Sequence, residues 1–256
     1  MAEIKKNVLV TGSKGFIGTN LVNYLNNYQQ YNIFEYVRNS TINDLDAYIE
    51  KIDFIFHFAG VVSLKNSYDQ FENSNINLTS DIIGLILNNK LSIPILYTSS
   101  IHAIKKLDNY GLTKSESEKL LIQYSLKSNA LVYILRLPHV YGEFQKKDRG
   151  SFLIDCIYNI LDNKEINMKN PDNMINYLYV QDLVKQLYEL FVTEKNNKGI
   201  FYPEINNIDR REVGSVINCI YEINENIQNE KYLLIDDFQK KLFKVFKFYY
   251  DFSNKA

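Results

Sequence analysis

Tyr110 and Lys114 stand four residues apart in Tyr110-Gly111-Leu112-Thr113-Lys114. On a helix, that spacing puts both side chains on one face. A free tyrosine titrates near ~10, too high for ready proton exchange at neutral pH, and a nearby ammonium favours the phenolate. Such a pair can exchange a proton with a carbonyl or alcohol oxygen, with Lys114 tuning Tyr110. The chain has 20 tyrosines, so the pattern also arises by chance. It gains weight from Ser100, at the end of an apolar run upstream, whose hydroxyl can reach the same oxygen. A second constellation opens the chain. Thr11-Gly12-Ser13-Lys14-Gly15-Phe16-Ile17-Gly18 carries glycines in the spacing GxxGxxG. Gly12 suits a tight turn, Gly15 lets backbone approach a pyrophosphate, and Gly18 permits close packing of helix on strand. A helix N-terminus then offers N–H groups and positive dipole to phosphate.

Elements that could hold these groups follow from hydrophobic spacing. Residues 7–10 (NVLV) form an apolar run of the kind found in a buried parallel strand. Helical spacing follows through Phe16, Ile17, Leu21, Val22 and Leu25. Strand-like runs recur at 33–37, 53–58, 94–98, 131–135 and 176–179. Helices are predicted at 44–51, 75–88, 110–125, 151–161 and 180–192, and a further capped start is read at 206–209. Strands alternating with helices imply βαβ units, hence an α/β fold with a Rossmann-like, doubly wound parallel sheet. In such sheets ligands bind at the carboxyl ends of the strands, where Gly12, Ala59-Gly60 and Ser99-Ser100 stand. The expected division is a dinucleotide-binding core at 1–145 plus about 173–195. A small C-terminal substrate-binding lobe would take about 146–172 and 196–256.

Composition narrows the class. At 256 residues, with 23% charged and 46% hydrophobic residues, the chain is globular rather than disordered. A net charge of −1 argues against a general polyanion binder, so no nucleic-acid partner is expected. Cys156 and Cys219 are far apart and form no CxxC pair, so neither a disulfide framework nor a metal site is expected. With no long apolar run and no signal-peptide pattern, the expectation is a cytoplasmic protein without a membrane partner. The second strand bears on the cofactor. Glu35 lies inside it and Arg38 stands at its edge, an arrangement that favours the 2′-phosphate of NADP(H), with Lys14 able to share that role.

TGSKGFIG, HFAG, TSS and YGLTK stand in this order on the matching elements. Together they resemble the extended short-chain dehydrogenase/reductases, the family of nucleotide-sugar epimerases, dehydratases and reductases. RLPHVYG at 136–142 resembles that family's R-x-x-N-x-Y-G segment, and YVQDL at 179–183 its V-x-D block. The stretches IFEYVR, DFIFHFAGV, SSIHA and NYGLTKSESEKLL are similar to the reductase domain of capsular-polysaccharide enzymes of the CapF/WbjC type. Those enzymes carry a C-terminal cupin domain, so a cupin partner, where needed, is expected to be a separate protein. The resemblance implies NADPH-dependent reduction of the C4 keto group of a UDP-4-keto-6-deoxy-N-acetylhexosamine, giving a UDP-6-deoxy-L-hexosamine. It makes Tyr110 the proton donor, Ser100 the group that orients the oxygen, and Lys114 the group that tunes Tyr110 and holds the nicotinamide ribose. The cofactor set it implies is Gly12, Ser13, Lys14, Gly15, Phe16, Ile17, Gly18, Arg38, Ala59, Gly60, Tyr110, Lys114 and Pro138. Homodimers are common in the family, and one is expected here.

Departures from the family pattern sharpen the reading. The family's 4,6-dehydratases follow the active-site Ser/Thr with an Asp-Glu pair; here Ile101 and His102 stand there, which argues against dehydration. Histidine as a residue type exchanges protons near neutral pH, so a residue of this kind at position 102 could shuttle a proton during epimerisation; the reading preferred from sequence is that His102 is a substrate hydrogen-bond donor. His139 occupies the position of a family Asn that contacts the sugar nucleotide. Arg149, Arg210 or Arg211 could bind the diphosphate, although for each a plain surface charge is the preferred reading. His57 reads as a packed histidine. The stretch KKLFKVFKFYY reads as an amphipathic element packed on the substrate lobe or a dimer partner. A nucleotide-sugar 4-epimerase, or a combined epimerase/reductase that retains its cofactor, is the alternative; a non-catalytic dinucleotide sensor is disfavoured by the intact Ser100, Tyr110 and Lys114.

Overall fold

Apolar runs of the first 137 residues become strands, most of them buried on both faces. In the computed structural model, which describes residues 5–62, 67–147, 149–166, 170–193, 198–229 and 236–253, these are β1 (Lys6–Thr11), β2 (Tyr31–Tyr36), β3 (Phe54–His57), β4 (Ile95–Ser100) and β5 (Leu131–Leu137). Between them run α1 (Phe16–Leu25), α2 (Ile42–Asp46), α3 (Tyr68–Phe71), α4 (Leu78–Asn88), α5 (His102–Lys105) and α6 (Asn109–Ser128). Then follow β6 (His139–Tyr141), α7 (Phe152–Leu161), β7 (Met174–Tyr179), α8 (Val180–Val192), β8 (Gly199–Phe201), β9 (Ile208–Glu212), α9 (Val213–Asn229) and α10 (Asp237–Ser253).

The chain divides into two compact units, Met1–Leu137 with Val184–Ile205, and Pro138–Leu183 with Asn206–Ala256. The first holds a six-stranded sheet in the order β2-β1-β3-β4-β5-β8, parallel throughout. It is a Rossmann-like α/β sheet. Side chains alternate across it. Leu9, Ile55, Ile95, Tyr97, Val132 and Ile134 join one core with Ile82 and Ile86 of α4 and Leu121 and Tyr124 of α6. The intervening Phe54 and Phe56 turn to the other face and pack on Phe191 of α8. Strand order reverses between β1 and β3, the switch point at which open α/β sheets bind ligands.

The second unit has its own sheet, β6-β7-β9, with β6 parallel and β9 antiparallel to β7. α10 buries Phe238, Leu242, Val245, Phe246 and Tyr249, and the Tyr249 hydroxyl accepts from Gln145 N at 2.8 Å. KKLFKVFKFYY is thus the packed amphipathic helix read from its spacing. Two readings need correction. Residues 208–212 form a strand, not the start of a helix: Ile208 to Glu212 pair with β7, and that pairing outweighs the local capping signal. Residues 138–145 and 173–183 fall in the second unit rather than with the first sheet, because β7 pairs with both β6 and β9, and residues 198–205 fall in the first unit rather than the C-terminal lobe, because β8 pairs with β5.

Candidate active site

The glycine loop leaves β1 at Thr11. Gly12 turns with φ +68°, and a Cβ there would lie 2.8 Å from the Ala59 backbone nitrogen, so the turn accepts only glycine. At Gly18 a Cβ would collide with the Gly12 carbonyl and the Ser13 Cα. Gly15 begins α1 without any side-chain cap, so the first N–H groups of the helix have no side-chain acceptor there. A tight glycine turn running into an uncapped helix fits a dinucleotide pyrophosphate.

The carboxyl ends of β1 and β3 are tied by a buried network. Thr11 Oγ1 accepts from the Phe58 and Ala59 N–H groups, each at 3.1 Å, and therefore donates to His57 Nδ1 at 2.7 Å. Thr79 Oγ1 donates to the Asn75 carbonyl at 2.5 Å, so His57 Nε2 donates to Thr79 at 2.8 Å. The ring is neutral, with its proton on Nε2. Complete burial, helped by the Lys114 charge, pushes its pKa down to about 3. His57 is a core histidine with both nitrogens satisfied.

Ser100 closes β4 and Tyr110 lies in the first turn of α6. The Ser100 side chain interacts with the Tyr110 phenol. The rings of Phe71 and His102 flank Tyr110, with centroids 6.0 and 5.8 Å away. Burial pushes the Tyr110 phenol up to about 12, and the interaction with Ser100 opposes the rise. Lys114, 4% exposed, donates to the Thr98 carbonyl at 2.9 Å and lies 4.5 Å from the centre of the Tyr97 ring. Burial lowers its pKa to about 7, with Glu118 opposing. Here the structure departs from the spacing argument. The Lys114 ammonium is bound to Thr98 and Tyr97, and desolvation rather than Lys114 governs Tyr110.

Residues that the motifs did not flag hold this arrangement. Asp108 caps α6, its Oδ1 accepting from Gly111 N at 2.6 Å, and its Oδ2 pairs with His102 Nδ1 at 2.8 Å. An Asp just before a helix start is a readable cap signal. Asn75 sits in a π-helical segment, Glu72–Asn77, of the kind enriched at functional sites. It accepts from Val61 N at 3.0 Å and donates to Thr113 Oγ1 at 3.1 Å, tying the exit of β3 to α6. Gly60 leaves room for it: a Cβ there would lie 2.5 Å from Asn75 Oδ1. Glu118, one turn beyond Lys114, is buried. It accepts from Ser99 Oγ at 2.5 Å and takes a two-pronged grip from Arg136, at 3.0 and 2.6 Å.

Among the remaining expected residues, Lys14 forms an ion pair with Glu35 at 2.7 Å, and this bond holds the Glu35 carboxyl below its usual range. Arg38 is exposed beyond β2. The first unit therefore brings together Ser100, His102, Tyr110 and Lys114, and joins the glycine loop to Ala59. Pro138, His139, Arg149 and Arg210 belong to the second unit, where Pro138 is half-buried and the other three are exposed. Arg211 is bound to Asp236 at 2.9 Å and stacks on Phe238. Among the described residues, no cluster of His, Cys, Asp and Glu could hold a metal ion, and no helix is long and apolar enough to cross a membrane.

Residues 8–202 match the family described as the NAD dependent epimerase/dehydratase family. Over 191 residues the chain is 33% identical to a UDP-2-acetamido-2,6-beta-L-arabino-hexul-4-ose reductase of Pseudomonas aeruginosa, an alignment covering 74% of this chain and 50% of that protein. It is 28% identical over 261 residues to a putative UDP-glucose 4-epimerase of Methanocaldococcus jannaschii, covering 84% of this chain and 85% of that one. The crystal structure of the capsular polysaccharide assembling protein CapF from Staphylococcus aureus superposes with a TM-score of 0.83 at 26% identity, over 98% of this chain and 66% of that one. The chain thus spans half the length of the Pseudomonas reductase and under two thirds of the CapF chain.

Proposed function

The chain belongs to the NAD dependent epimerase/dehydratase family, the extended short-chain dehydrogenase/reductases, and from that premise we propose that it is an NADPH-dependent reductase of the C4 keto group of a UDP-4-keto-6-deoxy-N-acetylhexosamine. The observation that carries this reading is the placement of Ser100, at the carboxyl end of β4, beside Tyr110 of α6, with Lys114 one turn further along that helix. The activity of the Pseudomonas relative, a hexul-4-ose reductase, supports it.

The backbone of Gly12, Ser13, Gly15, Phe16, Ile17 and Gly18 would hold the pyrophosphate, and Ala59, Gly60 and Pro138 would line the rest of the dinucleotide. Lys14 already neutralises Glu35, and Arg38 is exposed nearby in sequence; both features favour a 2′-phosphate over a free ribose hydroxyl. When bound, the cofactor supplies the hydride. Tyr110 donates its proton to the developing alkoxide. A phenol held near 12 stays protonated until such a strong base forms beside it, which suits the reductive direction. Ser100 orients the oxygen, and Lys114, released from Thr98, binds the nicotinamide ribose. His139, Arg149 and Arg210 of the second unit are assigned to the sugar nucleotide, and the enzyme is expected to act in the cytoplasm as a homodimer.

A 4-epimerase that retains its dinucleotide is the second reading, favoured by the long alignment to the putative UDP-glucose 4-epimerase. Incubation with NADPH and UDP-4-keto-6-deoxy-N-acetylglucosamine, followed at 340 nm, separates the two. Stoichiometric oxidation is expected; sugar interconversion without net oxidation would overturn the reductase reading.

A further inference from the structure

We infer that His102 and Asp108 form a proton-transfer dyad that exchanges the hydrogen on a carbon next to the ketone, with Ser100 and Tyr110 holding the resulting enolate oxygen. The inference rests on the ketone substrate proposed above.

Three observations converge on it. Asp108 is bonded twice, through Oδ1 to Gly111 N at 2.6 Å and through Oδ2 to His102 Nδ1 at 2.8 Å. Burial alone would raise its pKa, but these two partners hold it below the usual carboxylate range, so Asp108 is ionised and only accepts. His102 Nδ1 therefore carries the proton, and Nε2 presents a lone pair. A carboxylate behind an imidazole fixes its tautomer and stabilises its protonated form, which is the requirement for a base and not for a simple hydrogen-bond donor. The dyad also sits on the groups that polarise the oxygen. The His102 backbone N–H donates to Ser100 Oγ at 3.2 Å, and its ring meets the Tyr110 ring edge-on with centroids 5.8 Å apart. The His102 side chain is 39% exposed, so a small molecule can reach it.

The chemistry balances without an oxidant. The C–H bond next to the carbonyl breaks and its proton passes to His102 Nε2. The bonding pair becomes a C=C bond, and the carbonyl π pair moves onto oxygen, stabilised by hydrogen bonds from Ser100 and Tyr110. Return of a proton from the imidazolium to the face it left restores the ketone with retention, and a proton drawn from solvent meanwhile marks the carbon. In a 4-keto hexose the candidate carbons are C3 and C5.

The test uses the full chain in D2O with NADP+ and UDP-4-keto-6-deoxy-N-acetylglucosamine, and reads deuterium at C3 and C5 by proton NMR. NADPH oxidation is followed in a separate arm. Wild type should exchange at least 100-fold faster than His102→Gln. Asp108→Asn keeps an oxygen for the helix cap, so it should fold, and it should exchange at least tenfold slower than wild type. In both variants exchange should fall by a larger factor than NADPH oxidation does. Exchange in His102→Gln at the wild-type rate, or wild-type exchange no faster than in buffer, would overturn the dyad. Exchange without NADPH oxidation would leave the dyad standing and sink the reductase reading; oxidation without exchange would do the reverse.

Discussion

Replacing Lys114 with methionine should make the protein more stable and inactive, and the gain should shrink as pH rises. The fall of the Lys114 pKa from 10.5 to about 7 corresponds to about 5 kcal/mol, at about 1.4 kcal/mol per pH unit. Between pH 7 and 10.5 the unfolded chain binds this proton and the folded chain does not, so wild-type stability rises with pH across that window. Methionine fills a similar volume and binds no proton. It leaves the Thr98 carbonyl without its 2.9 Å partner, a loss of about 1–3 kcal/mol. Burial of the charge is the larger effect, so the variant should be more stable by about 2–4 kcal/mol at pH 7. Wild type should then regain about 2 kcal/mol on it between pH 7 and 9. Urea unfolding of both proteins at the two pH values measures the difference, in which all other titrating groups cancel. A difference that does not change with pH, or a wild type more stable at pH 7, would refute the claim that Lys114 is held in the site at the expense of the fold.

Other perturbations test other parts. Arg38→Ser should lower kcat/KM for NADPH by about 10- to 100-fold, the worth of one charged hydrogen bond, and leave NADH little changed; an unaltered ratio between the two cofactors would contradict the assignment. Gly18→Ala places a methyl against the Gly12 carbonyl and Ser13 Cα, and should lose about 3 kcal/mol of stability and weaken NADPH binding in a fluorescence titration. Glu118→Ala removes the acceptor of Ser99 and strands Arg136. It should lower stability by about 3 kcal/mol in thermal unfolding and slow NADPH oxidation by displacing the end of β4.

The parallel sheet was legible because its central strands are buried on both faces and read as unbroken apolar runs, three of them, β1, β3 and β4, ending in residues that suit a ligand. The glycine loop was legible because backbone contacts at Gly12 and Gly18 exclude any side chain. Residues 208–212 misled because a capping signal is local, whereas pairing with β7 depends on a strand some thirty residues earlier. The two short strands β6 and β8 carry too few residues to show a period. Spacing placed Lys114 on the face of Tyr110 but could not supply the Thr98 carbonyl that competes for its ammonium. Asn75 and Glu118 were invisible for the same reason: each is a polar residue in a helix whose partners, Val61, Thr113, Ser99 and Arg136, come from other elements. Asp108 was the exception, a cap that could have been read and then linked to His102.

In the proposed reaction, Tyr110 protonates the oxygen of a C4 ketone as hydride arrives at that carbon. Reaction with NADPH deuterated on nicotinamide C4, using UDP-4-keto-6-deoxy-N-acetylglucosamine, tests it through NMR of the product. One deuterium at sugar C4 per NADPH consumed is expected, with at least a 100-fold lower kcat in Tyr110→Phe and little change in KM. Label at any other carbon, no consumption of NADPH, or a Tyr110→Phe variant as fast as wild type would contradict it.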